Sequence, residues 1–506
     1  MNNTNWGRVL LCQVDQCVDD NIIVDKFAVH FRNCYTYNNA AQAESLCNEY
    51  LLRRSDYQGM PLSATHTIDT ELVSRIISDL HCGKAPDITG LTAEHLIYSH
   101  PSITLTLARF FQLILISGVV PAGFKCSYIV PVAKIKDCRT KAMSCDDFRG
   151  IAISPIISKV FEHCLIDCFK DFLITGDNQF GFKKTLGCRH AIYSARRIVE
   201  RFIKAGYTAN LCSIDLSKAF DKVNHTGLFL KLMKRCIPVE LLKCLENWFS
   251  DCAACVKWHD CWSDMFVVNS GVRQGSVMSP LLFNIYIDDM IGCGDINRNV
   301  FIIAYADDIL LLTPSVTALQ SLFRLCEAQL NYLDMSINPK KTCCLRIGPR
   351  CAVNCCNIST AEGRVIPWVN EVRYLGVFVV RSRSFKCAYD NAKRSFYSAV
   401  NGILGKVLNI ASEDVILQLI DSKCMPILVY GLEACPLNKT DLRSLDFTVD
   451  RIFMKLFKTG NIEIVRECQA FFGFKLPSVL LSMRSDKFIR QYNFSDNDVC
   501  KSLRGN

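Results

Sequence analysis

Residues 300–313 hold two apolar runs broken by two adjacent acids. Phe301, Ile302, Ile303, Ala304, Tyr305 and Ala306 lead into Asp307 and Asp308, and Ile309, Leu310, Leu311 and Leu312 lead away. Short apolar runs on either side of a two-residue polar break predict two buried strands of a hairpin with the acids at its tip. Residues 210–214 predict a further short strand that delivers Asp215 at its end. Elsewhere the period lengthens. Leu72, Ile76, Ile77 and Leu80 mark one face of a helix ending near Gly83. Leu442, Leu445, Val449, Ile452, Phe453 and Leu456 share a face over 438–457, and Ser412 followed by Glu413 and Asp414 has helix-start chemistry. Ser279 and Pro280 open an apolar helix through Ile291.

These textures divide the chain. Residues 1–65 show no strong period and are read as an N-terminal extension of uncertain order. Residues 66–118 form a helical segment. From 119 to 378 short β-rich runs alternate with helices, and 379–506 is helical. The pattern predicts an α+β protein, with no internal repeat and no low-complexity tract.

Composition narrows the classes. At 506 residues, half of them hydrophobic, the chain has ample material for a buried core, which excludes global disorder. A formal charge of +9 permits an acidic polymer as partner without demanding one. The 29 cysteines would suggest a disulfide framework in a short secreted chain, but at this length they predict buried thiols in a reducing compartment. Residues 1–13 have no continuous apolar core of signal-peptide type. The most apolar segment, 103–120, contains Arg109 and Gln112, so no membrane partner is expected.

Two like charges side by side on a dry hairpin are costly unless a cation neutralises them. Hard carboxylate oxygens suit magnesium. An ordinary hairpin turn would also account for the pair. Asp215, at the end of its own strand, could face Asp307 and Asp308 from a neighbouring strand, or cap a helix. Three such acids could hold two ions about 3.5–4 Å apart. Between the acidic elements lies Ser270-Gly271-Val272-Arg273-Gln274-Gly275-Ser276. Gly275 would let backbone approach a nucleotide or template base, with the Gln274 amide beside it; a plain connection before a core helix is the alternative. Cys252, Cys255, His259 and Cys261 have zinc-like spacing, but residues 255–268 read better as a strand pair. Cys343, Cys344, Cys351, Cys355 and Cys356 are likewise not assigned to a metal.

In combination these elements resemble the palm of a reverse transcriptase. Ser213-Ile214-Asp215-Leu216-Ser217-Lys218-Ala219-Phe220-Asp221 resembles motif A, residues 271–280 motif B, and Tyr305-Ala306-Asp307-Asp308 motif C. Asn338-Pro339-Lys340-Lys341-Thr342 resembles motif D, and Tyr374-Leu375-Gly376 the primer-grip motif E. Ile129-Val130-Pro131-Val132-Ala133-Lys134 and Phe148-Arg149-Gly150-Ile151 look like the fingers motifs, and Gln179-Phe180-Gly181-Phe182 like the block that follows in non-LTR retrotransposons. The ordered set spans roughly residues 80–480 and is most similar to LINE-type polymerases of the jockey and CR1 sort. Two departures stand out. Arg149 is followed by Gly where the family often has Pro, and motif C begins with Tyr where many non-LTR elements have Phe; neither removes a ligand or a charge.

The resemblance implies a right-hand polymerase with fingers and palm over 119–378, an antiparallel palm sheet and a helical thumb. It implies an RNA-directed DNA polymerase that extends a DNA primer on an RNA template from deoxynucleoside triphosphates. Magnesium, as two ions, would be the cofactor, with manganese able to substitute. Asp215, Asp307 and Asp308 would be the catalytic metal ligands. Lys134 and Arg149 would meet the triphosphate, with Gln274 and Gly275 at the nucleotide. Phe220 would pack beneath the incoming sugar and exclude a 2′-hydroxyl, and Lys341 would assist the leaving pyrophosphate or simply be a solvated loop lysine. Tyr374, Leu375 and Gly376 would hold the primer end. Basic residues at Lys183, Lys184, Arg189, Arg196, Arg197, Arg201 and Lys204, and at Arg381, Arg383, Lys386, Lys393 and Arg394, fit a phosphate path or a solvated helix face.

An intron maturase, an RNA-templated RNA polymerase, and a decayed element that only binds nucleic acid are the competing readings. Relatives of this type act with an endonuclease, expected here from a missing region or in trans. The expected setting is intracellular, at a nuclear integration site.

Overall fold

The computed structural model describes residues 13–134, 143–295, 297–408 and 410–504. The opening stretch without a signal-type apolar core therefore lies, up to residue 12, outside the described residues. The chain divides into two compact units, one of Met1–Thr175, Ser217–Asp289 and Gln329–Ser336, the other of Gly176–Leu216, Met290–Ala328 and Ile337–Asn506.

The first unit is built on a mixed sheet. Cys126–Ala133 pairs antiparallel with Phe148–Ile153 and parallel with Ala253–Trp258, which in turn pairs with Cys261–Trp262 and Phe266–Val267. The strand pairing expected over 255–268 is therefore present. Here the His259 ring lies 3.0 Å from an Asp20 oxygen. Residues 13–65, which show no strong period, nonetheless carry helices Asp20–Cys34 and Ala40–Ser55. Ile23, Val24, Phe27 and Phe31 recur at helical spacing and enter a core with Phe148, Trp258 and Phe266. Asp19 and Asn39 cap the two helices through their side-chain oxygens. The helix read from Leu72 runs over Thr70–Ser78, capped by Asp69, and stops ahead of Gly83; Val73, Ile76 and Ile77 are its buried face. Helix Ser102–Ser117 ends at left-handed Gly118. No helix among the described residues is long and apolar enough to cross a membrane.

The second unit centres on a four-stranded, wholly antiparallel sheet. Its order is Phe301–Tyr305, Asp308–Thr313, Ala209–Ile214, Cys343–Ile347. Leu211, Leu310, Leu312, Leu345 and Ile347 of these strands pack with helix Cys188–Lys204 and with the helices that follow residue 390. The C-terminal part is helical as its period predicts. Lys439–Leu456 is capped by Asn438 and buries Leu445, Val449, Ile452 and Phe453. Glu413–Leu419 begins after Ser412, although that hydroxyl makes no capping bond. Every described cysteine is a free thiol, and many are buried in these cores.

Candidate active site

The second unit carries the acids. The strand Ala209–Ile214 lies beside Asp308–Thr313 with Ile214 opposite Ile309. Carrying that register one residue further sets Asp215 beside Asp308. Tyr305 pairs with Asp308 across the hairpin, so the turn is Ala306-Asp307 and Asp308 opens the second strand. Both hairpin acids are exposed, while the flanking residues Ala304, Ile309 and Leu310 are buried. Rigid apolar strands thus deliver three carboxylates to one sheet edge, the arrangement expected from the sequence pattern.

The 338–342 loop folds onto Asp215. The Asn338 amide donates to the Asp215 carbonyl at 2.8 Å, and the Asp215 amide donates to the Thr342 hydroxyl at 3.2 Å. Thr342 is fully buried and fixes the backbone at Asp215 from the far side, a role no local pattern signals. Lys341 Nζ stands 3.9 Å from an Asp215 oxygen, with the lysine side chain 70 % exposed and the aspartate 39 %. At that exposure the pair adds little to stability.

Tyr374-Leu375-Gly376 is the connection of another hairpin, between Glu371–Tyr374 and Val377–Val380. Leu375 and Gly376 both have positive φ, which suits the tight turn. Tyr374 itself is 4 % exposed, and its hydroxyl has no hydrogen-bond partner among the described residues. Burial, with the Asp308 charge adding to it, pushes that hydroxyl far above its ordinary pKa. Tyr374 is therefore a core residue, and only the Leu375-Gly376 tip reaches the surface. Arg196 and Arg197 of helix Cys188–Lys204 are also more internal than their charge suggests. Both bond Glu200, and Arg196 also bonds the Ala434 carbonyl. Arg201, Lys204, Arg383 and Lys386 are exposed.

The first unit carries the remaining site residues. Val132 pairs with Arg149. Directly opposed residues share a face, and Lys134 lies two positions beyond Val132. Arg149 on its strand and Lys134, one residue past the end of Cys126–Ala133, are both exposed, with Lys134 Nζ 2.5 Å from the Asp146 carbonyl. The far face bears buried Phe148 and Ala152.

The segment 270–276 is stitched to that sheet and to the 219–223 turn. Ala152 N–H donates to the Gln274 carbonyl at 2.7 Å, Val272 N–H to the Phe220 carbonyl at 2.8 Å, and Gly271 N–H to the Val223 carbonyl at 2.7 Å. Gly275 has φ of 127°, and a Cβ there would collide with the Ala152 carbonyl, so the protein's own backbone already requires glycine at this position. The Gln274 side chain donates to Asp221 at 2.8 Å. Burial raises the Asp221 carboxyl to about 6 against the opposing pull of Gln274, Lys218, Lys222 and Lys134. Phe220 is half-buried, its ring stacked on Phe283 at 4.6 Å and 18°. Buried Glu162, absent from any motif, accepts from the Ser276 hydroxyl at 2.5 Å and from the Met278 amide at 2.8 Å, anchoring the entry to helix Ser279–Ile291.

Among the described residues, no three His, Cys, Asp or Glu side chains already converge as a metal cage. The donor set still suits magnesium. That ion is commonly held by one or two carboxylates with waters and substrate phosphates completing its shell, and Asp215, Asp307 and Asp308 supply hard oxygens at one accessible edge.

The profile of the reverse transcriptase (RNA-dependent DNA polymerase) family matches residues 136–379. An RNA-directed DNA polymerase from the mobile element jockey of Drosophila melanogaster is 27 % identical over 94 % of this chain and 53 % of its own length. The jockey polymerase of Drosophila funebris is 25 % identical over 66 % of this chain and 37 % of its own. A probable RNA-directed DNA polymerase from transposon BS of Drosophila melanogaster is 26 % identical over 63 % and 36 %. The chain thus spans about a third to a half of these relatives. Among solved structures, apo telomerase from Candida tropicalis aligns with a TM-score of 0.36 at 14 % identity, over 57 % of this chain and 60 % of that one. Residues 136–379 thus match the reverse transcriptase family, and the chain is similar to RNA-directed DNA polymerases of jockey-like non-LTR retrotransposons, with its motifs in that family's order.

Proposed function

We propose that the chain extends a DNA primer on an RNA template as the polymerase of a non-LTR retrotransposon. The observation that carries the reading is the set of three carboxylates at one sheet edge, Asp215 beside Asp308 with Asp307 at the adjoining turn. When bound, a pair of magnesium ions, or manganese in their place, supplies activation of the primer hydroxyl and stabilisation of the leaving pyrophosphate. Asp215, Asp307 and Asp308 would hold them. Lys341, 3.9 Å from Asp215, would meet departing phosphate. Arg149 and Lys134, both exposed, would bind the triphosphate of a deoxynucleotide, Arg149 through paired hydrogen bonds. Gln274 and Gly275, fixed against Asp221 and Ala152, would lie at the nucleotide, and Phe220 would bear against the sugar.

In this reading residues 119–378 act as fingers and palm, and 379–506 as thumb. Leu375 and Gly376 would carry the primer grip at the hairpin tip, with Tyr374 supporting them from the core. A primer end would come from a nick made by an endonuclease in another region or in trans, and the work would take place at the integration site in the nucleus. The test is primer extension on a primed RNA template with magnesium, beside Asp307→Asn. Template-dependent DNA product from the wild-type chain and none from the variant supports the reading. Absence of product from the wild-type chain, or equal product from both, overturns it.

A further inference from the structure

The turn that presents Asp307 is built against its own preference. Ala306, its first central residue, has φ of 54°, and Asp307 is not in the left-handed region. Positive φ at the first position alone is the pattern of a turn that strongly favours glycine there, because a Cβ crowds the backbone. Residues held in such a region persist only where their surroundings over-determine them.

One side chain contacts both backbone groups of this residue. Gln179 is fully buried. Its Oε1 accepts from the Ala306 amide at 2.9 Å and from the Gly181 amide at 2.8 Å, and its Nε2 donates to the Ala306 carbonyl at 3.3 Å. The amide therefore grips both backbone groups of the strained residue, one as acceptor and one as donor. Neighbouring backbone seats it. Phe180 N–H donates to the Ala304 carbonyl at 2.8 Å, and Ala304 N–H to the Asn178 carbonyl at 2.9 Å, so Gln179 forms a single parallel bridge with Ala304 of Phe301–Tyr305. Gly181 allows the close approach, since a Cβ there would collide with the Ala306 amide nitrogen.

We propose that Gln179 is a positioning residue for the acidic hairpin: its amide holds Ala306 in the left-handed conformation and so sets where Asp307 points. The proposal rests on the polymerase reading of Asp307. Only a side-chain amide satisfies both groups. A carboxylate keeps the acceptor but has no donor, and a thioether of the same length has no donor and only a weak acceptor.

The test combines Gln179→Met with Ala306→Gly in the full chain. In Q179M the turn relaxes and the carboxylate is displaced; a displacement of about 1 Å can cost about 100-fold in rate. Extension on primed RNA with magnesium should lose kcat by about 10- to 100-fold while KM for deoxynucleotide moves by less than about threefold. Glycine adopts positive φ without the clamp, so Q179M/A306G should regain at least about tenfold over Q179M. A purely structural glutamine would not be rescued from a position on the hairpin. No rescue in a folded double variant, or undiminished kcat in Q179M, overturns the proposal. Should Q179M fail to fold, Gln179→Glu carries the same comparison, with and without A306G. Hydrogen exchange at the Ala306 and Gly181 amides gives a readout independent of activity. Exchange should be slow in the wild-type chain and faster in Q179M; equal rates overturn the clamp. If the wild-type chain makes no product, the polymerase reading falls and exchange alone decides the clamp.

Discussion

Phe220→Val separates a sugar-sensing ring from a ring that only packs. The side chain is half-buried and stacked on fully buried Phe283 at 4.6 Å. Truncating a fully buried Phe to Ala costs about 3–5 kcal/mol. At half burial, and with valine retaining part of the contact, about 1 kcal/mol of that remains. Loss of the stacked pair adds about 0.5–1.5 kcal/mol. The expected total of about 1.5–2.5 kcal/mol lowers Tm by about 3–10 °C, at about 2–4 °C per kcal/mol for units of 150–250 residues. If the ring also occupies the volume of a ribose 2′-hydroxyl, its removal improves kcat/KM for ribonucleotides relative to deoxynucleotides by at least about tenfold, equivalent to about 1.4 kcal/mol. The assay is single-nucleotide incorporation of each sugar type on one primed RNA, with melting curves on the same preparations. A destabilised variant with unchanged sugar preference refutes the sugar-sensing role. An unchanged Tm refutes the packing account.

Three further outcomes are expected. Asp307→Asn and Asp215→Asn should abolish primer extension yet shift Tm by less than about 2 °C, because both carboxylates stand at an exposed edge outside the core; melting and extension measured together check this, and near-normal extension would refute the metal-ligand assignment. Burial pulls His190 and His225 down to about 4, so the unfolded chain, titrating near 6.5, takes protons first. Stability is then full above about pH 6.5 and falls as pH drops towards 4, by up to about 3 kcal/mol per histidine, and the acid limb of a denaturation profile should be shallower in His190→Gln/His225→Gln than in the wild type; an unchanged limb would refute the contribution of these two rings. Neutralising exposed Arg201, Lys204 and Arg383 together should flatten the dependence of log affinity for primer–template on log salt, by about 0.9 per lost phosphate contact, whereas Arg196→Gln should lower Tm more than it changes that slope; an unchanged slope in the triple variant would remove these residues from the nucleic-acid path.

What the sequence by itself determined is local. The hairpin over 301–313 and the helix Lys439–Leu456 were legible because side-chain period and turn or cap chemistry act within a few residues. Asp215, Asp307 and Asp308 could be singled out as candidates because the types and order of residues around them are local features of the chain. The helix Asp20–Cys34 was available in the same way, in the spacing of Ile23, Val24, Phe27 and Phe31 behind an Asp cap, although its polar surroundings mask the period. Only the tertiary structure decided what depends on partners distant along the chain. The register that sets Asp215 beside Asp308 arises from strand pairing between remote segments. Burial of Tyr374, capture of Arg196 by the Ala434 carbonyl and of Arg197 by the Leu503 carbonyl, and the close approach of the Ala152 carbonyl to Gly275 follow from which surfaces meet. The grip of Gln179 on Ala306 belongs with these, because a buried amide takes its meaning from the donor and acceptor packed against it, and a linear sequence does not record that pairing.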